Sequence, residues 1–209
     1  MTAELEHVIL YLVYHSPKPL TKTSLMKFVY LADYQHYRLY GEQLTDSVWE
    51  VDQFGPVDYT ISDTAWVLHM LEKLHIIPGR TGYGDAKIEY VPHPGSIPSI
   101  ELGERASMIL SRLLRTFGRW STRRLANMCK LTEPFRVEPS IRQRLDMGLI
   151  EKAKELKDYP ELQKLATRFS SIDLSERGSP EDRAAHIVQI YDELDGLRKR
   201  ATTVVLEEK

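Results

Sequence analysis

Between Thr21 and Gly41 the apolar residues Leu25, Phe28, Val29, Ala32 and Leu39 recur at helical spacing and share one stripe. Thr21 supplies a cap at the start, with Leu20 before it as the hydrophobic residue that packs on the first turn, and Gly41 supplies the stop. A helix of this length with one apolar stripe needs other elements to cover it. Upstream, Thr2 to about Tyr14 reads as a helix capped by Thr2, with Val8, Ile9 and Leu12 on one face. Leu10 and Val13 make it apolar nearly all round, so it belongs deep in a core. Ser16-Pro-Lys-Pro separates the two helices.

Downstream the pattern changes period. Val48 to Phe54 alternates weakly, with Trp49 and Val51 on one face and Glu50 and Asp52 on the other, and ends in a turn at Gly55-Pro56. A third helix, from Asp58 or Ser62 to Leu74, is expected to bury Ala65, Leu68 and Leu71, with Val67 and Leu74 beside them. Ile76-Ile77, a turn over Pro78 to Asp85, and Lys87 to Val91 read as a β-hairpin. A fourth helix, about Ile100 to Phe117, turns Leu102, Ala106, Ile109, Leu110, Leu113 and Leu114 inward and ends at Gly118. Ser121 caps a fifth, containing Leu125, Met128 and Cys129. Thr132-Glu-Pro-Phe135 interrupts the chain, and Ser140 or Ile141 opens another helix to about Leu156. Past there the sequence is more polar, until an amphipathic last helix, Glu181 to about Arg200, with Ile187, Ile190, Tyr191, Leu194 and Leu197 on one face. The expected fold is mainly α with a small β-hairpin (α+β): a winged-helix-like N-terminal part and a C-terminal helical extension, divided as 1–156 and 157–209.

With 42% apolar and 28% charged residues in 209, the chain can bury a core and is not a disordered polymer. The lone cysteine, Cys129, rules out an intrachain disulfide framework and a thiolate zinc cage. The longest apolar run, Val8 to Tyr14, falls far below the roughly 20 residues that span a bilayer, so the expectation is a cytoplasmic protein without a membrane partner. The net charge of −2 conceals an asymmetry: −5 over residues 1–100 and +3 over 101–209. From Arg105 to Arg144 ten basic residues face only Glu133 and Glu138. Arg112, Arg115, Arg119, Arg123, Arg124 and Lys130, with Trp120 among them, are either a solvated face or a track for phosphates, with Arg80 and Lys87 on the hairpin assisting.

Catalytic signals are absent from the pattern. No two of the seven histidines have the i, i+4 spacing with a glutamate that a helical zinc site needs, so neither metal nor cofactor is expected. Cys129 sits between Met128 and Leu131 and reads as a buried thiol. The glycines of Gly79-Arg-Thr-Gly82-Tyr-Gly84 lead into a strand rather than a helix, which is wrong for a phosphate loop. Glu42, Asp46, Glu50, Asp52, Asp58 and Asp63 gather without ligand spacing. No catalytic residue is assigned, and binding is the expected activity.

Leu25-Met-Lys-Phe28-Val-Tyr30-Leu-Ala-Asp33, then Leu39-Tyr-Gly41, then Phe54-Gly55-Pro56-Val57 resemble in order and spacing the Panacea domain, the SocA-like antitoxin or phage-associated GepA family. The resemblance covers about residues 5–150, with Glu133 where the family often has histidine and Phe135 where it commonly has tryptophan. It implies a helical domain and a non-catalytic antitoxin of a bacterial or phage-borne toxin–antitoxin pair. Its partner would be a cognate toxin, with a protease as further partner in relatives that act as adaptors. Leu25, Phe28, Gly41, Phe54, Gly55, Pro56 and Val57 are then scaffold motif. Tyr30, Tyr34 and Tyr37 form a second stripe on the second helix, which either seals a neighbour or makes a partner surface. With Trp49 and Tyr59 they are the candidate partner-binding residues, the last helix being a second candidate. The alternative is a nucleic-acid-binding regulator using the basic segment 105–144.

Overall fold

The computed structural model describes residues 3–80, 86–137, 139–152 and 167. Contacts divide the chain into a unit of residues 1–153 and a second of 154–209. The expected cap at Thr2, the hairpin turn at 81–85, the boundary at 156/157 and the last helix all lie outside the described residues.

Among the described residues the elements in chain order are α1 (Leu5–His15), β1 (Leu20–Thr21), α2 (Lys22–Tyr40), β2 (Glu50–Asp52), β3 (Gly55–Val57), α3 (Thr60–Met70), β4 (Leu74–Arg80), β5 (Ala86–Pro92), α4 (Glu104–Phe117), α5 (Thr122–Lys130) and α6 (Glu133–Arg136), with a 3₁₀ turn at Met147–Leu149. The architecture is α+β, helices around small antiparallel sheets. α2 lies at the centre, packed by α1, α3, α4, α5 and β3. Its caps form as the sequence dictates: Thr21 Oγ1 accepts from the Ser24 N–H, and Gly41 closes the helix at φ 81°, donating its N–H to the Tyr37 carbonyl. Leu25, Phe28, Val29 and Ala32 are fully buried, whereas Leu39, one residue from the end, is 41% exposed and leaves the stripe. α1 buries Val8, Ile9, Leu10, Leu12 and Val13 against α2, α3, α4 and β5, as its all-round apolar surface requires.

The main sheet has the order β1-β5-β4, with Leu20 opposite Tyr90 and Ile76 opposite Tyr90 on the other side. β4 runs through Pro78, Gly79 and Arg80, so residues expected in the turn are strand. The second sheet corrects another expectation: Gly55-Pro56 is strand, and the turn falls at Gln53-Phe54. Proline is tolerated there because Val51, its partner in register, spends both backbone groups elsewhere. Val51 donates its N–H to the Gln143 carbonyl at 2.9 Å and accepts from the Arg142 N–H at 2.8 Å. Pro56 therefore loses no ladder bond.

Residues 142–145 run antiparallel along Trp49–Val51, bridging Glu50 to Arg144 and donating from the Leu145 N–H to the Trp49 carbonyl at 2.8 Å. The described part of the helix expected from Ser140 or Ile141 is thus an extended strap, ending in the 3₁₀ turn. Backbone bonds to β2 override the local helical pattern. α3 stops at Met70, with Leu74 buried at the start of β4, and Val67 and Leu71 point outward rather than into the core. α4 starts at Glu104, four residues later than expected, and still buries Ala106, Ile109, Leu110, Leu113 and Leu114. Ser121 caps α5 by accepting from the Arg124 N–H. The expected interruption at Thr132 is itself one turn of helix, with Pro134 in its first turn where a missing N–H costs nothing.

Candidate functional site

Along α2 a polar side chain recurs every third residue, at Lys27, Tyr30, Asp33 and His36, and all four are buried. Each ties a later segment to the central helix. Lys27 Nζ donates to the Pro56 carbonyl at 2.6 Å. The Tyr30 hydroxyl meets Thr132 Oγ1 at 2.6 Å, and Thr132 donates onward to the Cys129 carbonyl. Asp33 accepts from the Thr45 N–H (2.8 Å), the Thr45 hydroxyl, Trp49 Nε1 (2.8 Å) and the Gln43 amide. His36 Nδ1 donates to the Glu42 carbonyl at 2.8 Å, in the tautomer that bond requires. The motif read in the sequence is therefore internal wiring. It pins the 42–49 loop, β3 and the start of α6 onto one helix.

Burial dominates the electrostatics here. It pushes the Asp33 carboxyl up to about 7, although its hydrogen bonds favour the charged form. It holds the Lys27 ammonium down at about 8, against the pull of the Asp52 carboxylate. The Cys129 thiol goes up to about 12, so it stays protonated. Tyr30 is raised for the same reason. Gly55, at φ 96°, sits over this wiring: a Cβ there would lie 3.6 Å from Lys27 Nζ and from the Ala126 carbonyl, so the position is fixed by backbone conformation rather than by space. Leu25, Phe28, Pro56 and Val57 are core, while Phe54, at the β2–β3 turn, is 58% exposed. Asp58, one of the gathered carboxylates, accepts from the Val48 N–H and from the backbone and hydroxyl of Thr60, anchoring the start of α3.

The five aromatic candidates do not form one exposed patch. Tyr30 and Trp49 are interior, packed edge to face at 5.1 Å with Trp49 held on Asp33, so neither is presented to a partner. Tyr34 and Tyr37 are half-buried on the core's margin, and Tyr59 is exposed. What the structure places beside Tyr59 in sequence is a surface not expected from the pattern. Ile61, Ala65 and Leu68 turn α3 toward the core, and its other side exposes Trp66, Val67, Met70 and Leu71, each more than half accessible. Trp66 with Met70 and Val67 with Leu71 are i, i+4 pairs, so the four side chains make one contiguous apolar face.

All six residues of the basic run are exposed, on α4, α5 and the turn between them. Arg124 lies 3.7 Å above the Trp120 ring, and Lys130 Nζ donates to the Gln53 carbonyl at 2.8 Å. The hairpin packs on α1, α2 and α3, α4 on α1 and α2, and α5 on α2, β3 and α6. Lys87 on the hairpin is paired with Glu89 at 2.8 Å.

Among the described residues Glu4, Glu6 and His7 place their side-chain ligand atoms within 4.8 Å of one another. His7 Nδ1 accepts the Glu101 N–H at 3.1 Å, so the neutral ring carries its proton on Nε2, the atom facing Glu4 and Glu6 at 3.5 and 3.7 Å. That is a donor to carboxylates rather than a ligand arrangement. No described helix is long and apolar enough to cross a membrane.

Fold and wiring together define an α+β domain built on one polar-spined helix, with an apolar face left open on α3. A family model described as antitoxin SocA-like, Panacea domain, matches residues 25–134, from the first motif leucine to the proline of α6, and the chain belongs to that family. It matches no curated protein and no solved structure.

Proposed function

We propose that this protein is the antitoxin of a bacterial or phage-borne toxin–antitoxin pair, acting in the cytoplasm by direct contact with its toxin and without chemistry of its own. The observation that carries the reading is the open apolar face of α3, Trp66, Val67, Met70 and Leu71, in a member of an antitoxin-like family. A large aromatic flanked by flexible apolar side chains and rimmed by Asp63 and Glu72 has the make-up of a protein-interface core. In the adaptor form of the same reading, the bound toxin is handed on to a protease.

A second reading, favoured by the exposed run Arg112, Arg115, Arg119, Arg123, Arg124 and Lys130, is a nucleic-acid-binding regulator with a winged-helix-like N-terminal part. The test that separates the two is growth rescue. The neighbouring reading frame is expressed alone and then with this chain, and complex formation is followed by co-purification. Toxicity relieved with a stable complex supports the antitoxin reading. Relief without a complex favours the regulator, and absence of toxicity rejects the antitoxin reading.

A further inference from the structure

The exposed ends of α1 and α4 enclose a groove of about 700 Å³, within the size range of small-molecule sites. Among the described residues no carboxylate lines it, and none of its lining residues comes from α3. One wall is aromatic: the Tyr11 and His15 rings stack on each other at 4.1 Å and 20°, with His15 Nδ1 bonded to the Tyr11 carbonyl at 2.9 Å. Trp120 forms another part of the lining and is held in place from several directions. Arg124 covers one face at 3.7 Å, Phe117 packs on it at 4.7 Å, its N–H donates to the Phe117 carbonyl, and Lys18 Nζ bonds its own carbonyl. Arg115 and Arg119 complete the lining, and among the described residues neither has a carboxylate partner. Their two full charges outweigh the partial negative charge, about half an electron, at the C-terminus of α4.

We propose that this groove binds a nucleotide, its base against the stacked Tyr11–His15 pair and the Trp120 ring and its phosphate on Arg115 and Arg119. Stackable ring faces beside unpaired guanidinium groups match a base joined to a phosphate. An acidic peptide would satisfy the arginines and leave the rings without a partner. The same unit is offered by a free nucleotide and by a single-stranded nucleic acid. This site is independent of the toxin-binding reading and is tested without any toxin.

The experiment is fluorescence anisotropy on the full chain with two probes, a methylanthraniloyl-labelled ATP and a fluorescein-labelled ten-nucleotide oligothymidylate. At least one probe is expected to bind. The double variant Arg115→Ala/Arg119→Ala should weaken it about tenfold or more, as loss of paired phosphate contacts does. Trp120→Leu should weaken it roughly tenfold through lost stacking, and Lys22→Ala, exposed and outside both the groove and the basic run, should change it less than about twofold. Labelled ATP displaced by unlabelled ATP identifies a free nucleotide, and binding of the oligonucleotide alone identifies a single strand. The proposal is overturned if neither probe binds, if the double arginine variant binds as well as the wild type, or if Lys22→Ala costs as much as the double variant. Because Arg115 and Arg119 are exposed, the double variant reads binding even if Trp120→Leu unfolds.

Discussion

Asp33 and Lys27 lie two turns apart on one helix, both fully buried, and they put opposite slopes into the stability of the fold. Asp33 titrates near 7 when folded against 3.8 for an ordinary aspartate, so between those values the folded chain binds the extra proton. Stability therefore falls as pH rises from about 4 to about 7, by an amount on the order of 4 kcal/mol. Lys27 is lowered from 10.5 to about 8, so in that window the folded chain binds fewer protons and stability rises with pH. Urea unfolding across pH should show both limbs. Asp33→Asn is expected to flatten the acid limb and Lys27→Met the alkaline one. Gly55→Ala, at φ 96° with no atom closer than 3.6 Å, should cost about 1–2 kcal/mol from backbone strain alone, read by the same unfolding assay. The positions of these residues were legible as part of a motif. Their burial was not, because periodicity sorts apolar residues, and the partners Thr45, Pro56 and Thr132 arrive from segments far along the chain.

At the level of elements, the starts of α2 and α5 are stitched together by hydroxyls. Thr21 Oγ1 donates to Ser24 Oγ at 2.9 Å, and Ser24 Oγ meets Thr122 Oγ1 at 2.7 Å. Thr21→Ala removes a cap and part of this cluster, whereas Ser121→Ala removes only a cap. Thermal unfolding should report a loss of about 1 kcal/mol for Ser121→Ala and about 2 for Thr21→Ala. Both caps were readable because capping is local chemistry. α3 was read differently from how it packs. It is apolar on two sides, and spacing alone cannot say which side the core takes; Val67 and Leu71 fit the inward stripe until Ile61, Ala65 and Leu68 are seen to fill it. The strap at 142–145 escaped for a related reason, since its order comes from backbone bonds to β2. Trp66→Ser/Met70→Ser, on the open side of α3, should leave the unfolding midpoint within the range of ordinary surface changes, about 0.5 kcal/mol.

Along the whole chain, charge is segregated: acidic residues prevail in the first hundred, and the exposed basic run lies beyond. The α+β class, the central helix and the family were all legible in the sequence, since motif order and helix stops survive without knowledge of packing. The open surface was not, because exposure is a property of the assembled fold. The segregation also separates the two readings by salt. A toxin complex centred on α3 should change affinity only a few-fold between 50 and 200 mM salt, whereas nucleic acid held by six basic contacts should weaken about a thousandfold. The most direct test of the account is size-exclusion co-elution of this chain with the protein encoded beside it, for the wild type and for Trp66→Ser/Met70→Ser. The account predicts a stable complex with the wild type and separate elution of a folded variant. Equal complexes with both chains, or none with the wild type, would contradict it.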